Sequence, residues 1–196
     1  MEIHHGSHRL VVAFPHYGIA IKIAKIRPWS AIKSLASNFN GYLKGYYKLS
    51  GLITLWWLQL FGFKSEGLHT AKSALFMGIL DNWREFFYYR RTRNPFLQPT
   101  WISLFGFINI QRYGRPCDEA CGDLYKSMYY LSERMIATDG HHFNDNRNFT
   151  LVSGHLRILD YGGRNTQQII SRYGRKIWSE FDLKSGIDPK MADESH

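Results

Sequence analysis

The chain is poor in cysteine, with two in 196 residues. A disulfide framework needs more than Cys117 and Cys121, and a zinc site needs further ligands at suitable spacing, so reduced thiols are expected. Acid is also scarce: 16 Asp and Glu stand against 25 Lys and Arg, a formal charge of +9. That balance favours an anionic partner, whether nucleotide, nucleic acid or acidic lipid surface, without choosing among them. The uncharged run Leu49–Phe63 falls short of the roughly 20 residues a spanning helix needs. It reads either as a buried helix or, with Trp56 and Trp57 between Lys44, Lys48 and Lys64, as a segment lying in a membrane interface. Met1–His5 lacks the basic start and apolar core of a secretory signal. A cytoplasmic protein is therefore expected, with peripheral contact to the inner face of a membrane left open.

What is present argues for a packed domain. Apolar residues make up 44% of the chain and aromatics 16%, so one cooperative unit with a core follows. Basic residues gather in Tyr88–Arg93 and Ser171–Lys176. Both read as solvated helix faces, with a nucleic-acid footprint as the weaker alternative.

Hydrophobic patterning sets the order of elements. Arg9–Phe14 and Ile19–Ile26 read as an antiparallel hairpin turning at Pro15–Gly18, with Ala20, Lys22 and Ala24 on one face. From Pro28 to about Arg93 the chain reads as helical, broken at Gly41, Gly45, Gly51, Gly62, Gly67 and Gly78, with Asp81 a candidate N-cap. Thr100–Gln111 predicts one strand, or two bent at Gly106. A helix is expected from Glu119 to Ile136, its core face made by Leu124, Met128, Leu131 and Met135. A polar loop, Asp139–Asn148, leads to two short strands joined by a Ser–Gly turn. The second strand, His155–Leu159, delivers Asp160 into a glycine-rich bend. A final helix, about Thr166–Glu180, precedes a tail expected to fray beyond Asp182.

Asp160–Tyr161–Gly162 resembles the Asp–Phe–Gly turn of protein kinases, and Ile19–Ala20–Ile21–Lys22 resembles their Val–Ala–Ile–Lys strand. In the order of these parts the chain resembles a small, divergent, bacterial-type protein-kinase-like domain. The resemblance implies an α+β, two-lobed fold over 1–182, with residues 183–196 a flexible tail. A small β-containing N-lobe would span about 1–112, including a helical insertion at about 28–80, and a reduced helical C-lobe about 113–182. It implies ATP and Mg²⁺ as cofactors. Lys22 would contact the phosphates, Glu85 would hold Lys22, and Asp160 and Asn148 would hold the metal. Gly6 is the one glycine offered for a phosphate-covering loop, with scarcely any strand ahead of it.

Two departures qualify the activity. Counting back five residues from Asn148, where kinases carry the proton-accepting aspartate, reaches Phe143. Asp145 is the first replacement base, with Asp139 or His142 as alternatives, and a transition-metal role for this loop has poor geometry. After Gly163 only one helix's worth of sequence remains, so a peptide-docking platform is missing, as in the small bacterial kinases that modify lipopolysaccharide sugars. An atypical phosphotransferase acting on an unknown protein, sugar or lipid-headgroup acceptor is expected. A pseudokinase is the alternative, and a basic nucleic-acid-binding protein the weaker one.

Overall fold

Val11, Val12, Ile19, Ile21 and Ile23 favour extended backbone, and they lie in the central strands of a sheet. The computed structural model of the chain describes residues 1–61, 71–117 and 124–181. Glu119, Cys121, Gly62, Gly67, Lys64 and the tail beyond Asp182 lie outside the described residues. Strands β1 (Glu2–His5), β2 (Arg9–Phe14), β3 (Ile19–Ala24), β4 (Thr100–Leu104) and β5 (Ile108–Arg112) form one antiparallel sheet in the order β1-β2-β3-β5-β4. β2 and β3 pair from Arg9 opposite Ala24 to Phe14 opposite Ile19. Their connection ends at Gly18, whose φ of 67° is a value glycine adopts without strain. β4 and β5 likewise turn through Phe105 and Gly106. The strand β1 ahead of Gly6 was not legible in sequence, because all four of its residues are exposed and no burial alternation marks it.

Three helices follow the first hairpin or pack on it: α1 (Pro28–Leu43), α2 (Leu49–Phe61) and α3 (Ala71–Thr92). Gly41, Gly51 and Gly78 lie inside them and break none. At Gly78 the reason is close approach: an added Cβ would stand 3.1 Å from the Lys25 nitrogen and 3.2 Å from the Ala24 Cα. Asp81 is not an N-cap but an interior residue of α3, facing His8 and Arg84, each at 3.7 Å. The Tyr88–Arg93 cluster is the end of α3, where Arg90 and Arg91 complement the helix dipole. α2 is not buried: Leu52 is, but Leu49, Ile53, Trp57 and Leu58 are exposed. No helix among the described residues is long and apolar enough to cross a membrane.

The second half holds α4 (Leu124–Leu131), α5 (Gly140–Phe143), the hairpin β6 (Phe149–Val152) and β7 (His155–Ile158), and α6 (Arg164–Glu180). The helix expected to reach Ile136 stops earlier. Glu133 and Arg134 take left-handed φ values of 52° and 70°, and the Arg134 N–H closes on the Tyr129 carbonyl at 2.8 Å. The core lies here, with Phe96, Met128, Ile136, Phe143, Phe149, Leu156, Ile158 and Ile170 fully buried. α3 bridges the halves: the Tyr88 hydroxyl donates to the Gln167 carbonyl of α6 at 2.9 Å. Between the sheet and α3 the interior is instead polar, with Arg9, Lys22, Asn82, Glu85, Asn109 and Gln111 all buried.

Candidate functional site

Strand alternation sends Lys22 to the side of β3 that faces α3, where it is 4% exposed. α3 answers with Glu85, which is fully buried. The Lys22 ammonium donates to both Glu85 oxygens at 3.0 Å and to the Leu159 carbonyl at 2.6 Å. An ammonium has three protons, so these contacts use all of them.

Arg9, on β2, joins the pair. Its register opposite Ala24 gives it the same face as Lys22, two residues along the pleat. Nη1 reaches Glu85 at 2.7 Å, with Asn82 Oδ1 at 3.5 Å, while Nη2 is bonded to Asp160. Glu85 also accepts the Tyr161 N–H at 3.2 Å. One buried carboxylate thus meets two cations and a backbone donor, and Arg9 carries the network on to Asp160.

Asp160 is delivered by β7. After Ile158 the Leu159 N–H donates to the Asn148 carbonyl at 2.7 Å, and the chain then turns against α3. A Cβ on Gly162 would meet Asp81 atoms at 2.8–3.0 Å, so only glycine allows this approach. The buried Tyr161 hydroxyl is satisfied by Gln98 and Thr100 at 2.7 Å each.

Burial opposes charge on these groups and their neighbours restore it. Burial lowers the Lys22 ammonium below its ordinary value, only partly offset by Glu85. For Asp160, burial would raise the carboxyl, but Arg9, then Lys22 and His142, hold it well below the usual carboxylate range. The Asp160 side chain keeps 34% exposure, so this corner of the network meets solvent.

The loop 139–148 divides into two ends. His142 Nδ1 lies 2.9 Å from Asp139, and its Nε2 lies 4.0 Å from Asp160. Thr166 donates to the other Asp139 oxygen. Burial would lower the His142 imidazole, yet the Asp139 hydrogen bond and the Asp160 charge raise it. Phe143 is fully buried and packs 6.0 Å from the Phe149 ring, as a core residue. Asp145, the first candidate base, accepts from Arg147 through its N–H at 3.0 Å and its guanidinium at 2.9 and 2.8 Å. Those bonds lower its carboxyl and make it a poor proton acceptor. The Asn148 amide nitrogen donates to the His142 carbonyl at 2.9 Å.

The structure therefore brings Lys22, Glu85 and Asp160 into one network, and His142 with Asp139 to its edge. Asp145 faces a different place. A cleft of about 1210 Å³ is lined by Glu2 and His4 of β1, by Tyr113, Arg115, Pro116 and Cys117, and by loop residues including His141 and Asp145. None of the four network residues lines it; the loop is the shared wall, His141 on the cleft and His142 on Asp160. Gly6 closes the β1–β2 turn, its N–H on the Arg9 carbonyl and its own carbonyl taken by Lys25. Arg9 is the residue that sequence reasoning missed. Its signal was parity: in the hairpin register it falls on the Lys22 face.

Among the described residues no cluster of three or more His, Cys, Asp and Glu is arranged for a metal ion. Comparison with protein-family models, curated proteins and solved structures finds no match to this chain.

Proposed function

We propose that the chain is a protein-kinase-like nucleotide-binding protein of the pseudokinase kind. The observation that carries this reading is the buried, bidentate Lys22–Glu85 contact linked to Asp160, which joins a strand, a helix and a post-hairpin turn. A two-point ion pair inside a protein is weak as a device for stability, since an apolar pair would serve as well or better. It suits a site that must present fixed charge to a polyphosphate. The order of the five strands and the position of α3 between sheet and core support the same resemblance. ATP would lie in the cleft, its base against 113–117 and its phosphates directed past His141 and His142 toward Asp160.

Two observations argue for binding without transfer. Phe143 is a core side chain where the base would stand, and Asp145 is clasped by Arg147. A second reading, an atypical phosphotransferase, is favoured by the Asp139–His142 pair: an imidazole oriented by a carboxylate and reaching toward Asp160 is built like a general base. Magnesium, which the kinase resemblance implies, does not fit the residues as they stand. Asp160 Oδ1 is already bonded to Arg9 with His142 Nε2 4.0 Å away, which leaves a cation only Oδ2 of this carboxylate, beside a guanidinium.

Thermal denaturation with and without ATP tests binding. A ligand at 100 times its Kd stabilises by about 2.7 kcal/mol, a rise of roughly 5–10 °C for a domain of this size. We expect such a rise for the wild type and its loss in Lys22→Met. No rise in the wild type contradicts nucleotide binding, and an equal rise in Lys22→Met contradicts the assigned site. Incubation with γ-labelled ATP separates the two readings: label transfer that disappears in His142→Gln would establish the phosphotransferase.

A further inference from the structure

We infer that Arg9 takes the place of a divalent cation at Asp160, and that this chain binds its nucleotide through Arg9 without metal. The inference rests on the nucleotide-binding reading above.

It follows from a count of donors and charges. Lys22 has three N–H groups and three acceptors, two on Glu85 and one on Leu159, so nothing remains on it for a phosphate. Arg9 has five N–H groups. Nη1 is occupied by Glu85 and Asn82, and Nη2 gives one proton to Asp160. That leaves the second Nη2 proton and the Nε proton, both on the guanidinium that touches the partly exposed Asp160. The cation with donors to spare is therefore Arg9.

The charges agree. Arg9 and Lys22 balance Glu85 and Asp160 within one network, so no positive charge is missing there. A divalent ion arriving at Asp160 would face a guanidinium already bonded to the carboxylate and an imidazole 4.0 Å away. A metal needs an uncompensated carboxylate, as a rule with further oxygen ligands. A phosphate needs what Arg9 retains: a planar cation, anchored through Nη1 on the buried Glu85, with two donors unused. Lys22 is then a positioning residue that holds Glu85, and through it Arg9, in place.

The test is an equilibrium titration of fluorescent ATP into the full chain, in EDTA and in Mg²⁺, together with a Mn²⁺ titration read by electron paramagnetic resonance. We expect ATP affinities in the two buffers to agree within about twofold, and no specific Mn²⁺ uptake by the wild type. Arg9→Gln should weaken binding in EDTA by about tenfold or more, and should create a Mn²⁺ site that vanishes again in Arg9→Gln/Asp160→Asn. ATP binding that is lost in EDTA and restored by Mg²⁺ overturns the inference while leaving the nucleotide site standing. Absence of ATP binding in both buffers overturns both. The wild-type arms decide the matter even if Arg9→Gln fails to fold, and Arg9→Lys, which keeps charge but loses the fork, gives a second variant.

Discussion

The two halves of this molecule are held together by different physics. Between α4 and α6 the interior is apolar, built from Met128, Phe143, Phe149, Leu156, Ile158 and Ile170. Between the sheet and α3 it is polar, built from Arg9, Lys22, Asn82, Glu85, Asn109 and Gln111, with Ala13 and Ala20 the small apolar residues buried in the strands. Burying a charge is expensive even when it is paired, so the second arrangement is a poor choice if stability were the only end served. The contrast is why the proposed function is assigned to the polar interface, where the chain keeps fixed charge, and not to the apolar half.

Breaking each half should look different. Glu85→Ala leaves two buried cations, Lys22 and Arg9, without their shared partner, and should destabilise by about 3–5 kcal/mol, toward the upper end. Urea denaturation followed by circular dichroism measures this; a loss below about 1 kcal/mol would mean that the network is open to water and not structural. Phe143→Ala should cost about 3–4 kcal/mol as a core truncation. The same truncation should leave the proposed nucleotide binding intact in whatever fraction remains folded, which a parallel ATP titration checks.

Acid sharpens the comparison further. The Asp160 carboxyl is depressed in the folded chain, so its contribution is complete above the ordinary carboxylate value near ~4 and is lost as pH falls through the folded value. Stability of the wild type should therefore fall at low pH more steeply than that of Asp160→Asn, and equal slopes would contradict the Arg9–Asp160 bond. His142 behaves oppositely. Its raised value gives a contribution complete below about 6.5 and lost as pH rises through the folded value, which histidine NMR titration in the wild type and Asp139→Asn would read. The smallest effect belongs to Asp145. Its pair with Arg147 is local, and the Arg147 side chain is 81% exposed, so Asp145→Asn should change stability by less than about 1 kcal/mol.

Much of the apolar half and the central hairpin was legible in sequence, because periodicity reports burial directly. The strands around Leu10–Ala24 and Phe149–Ile158, the turn at Gly106 and the final helix all follow from it. Strand alternation put Lys22 between two small side chains, but its pairing with Glu85 came from the kinase resemblance and not from periodicity; the folded chain makes that contact. Arg9 was not legible, because an arginine at the start of a strand reads as solvated until the register with β3 turns it inward. β1 was hidden by its exposure. The break after α4 was hidden because Glu133 and Arg134 carry none of the glycine signal that usually accompanies left-handed φ. Spacing ranked Asp145 ahead of His142, and only the folded loop shows the first clasped by Arg147 and the second oriented by Asp139.

The most direct measurement is side-chain NMR of the full chain during an ATP titration, following the Arg9 guanidinium, the His142 ring and the methyls of Ile170. Nucleotide held at the Arg9–Asp160 network should shift the Arg9 and His142 signals saturably while Ile170 stays fixed. Saturable ATP binding that leaves Arg9 and His142 unmoved would contradict that placement.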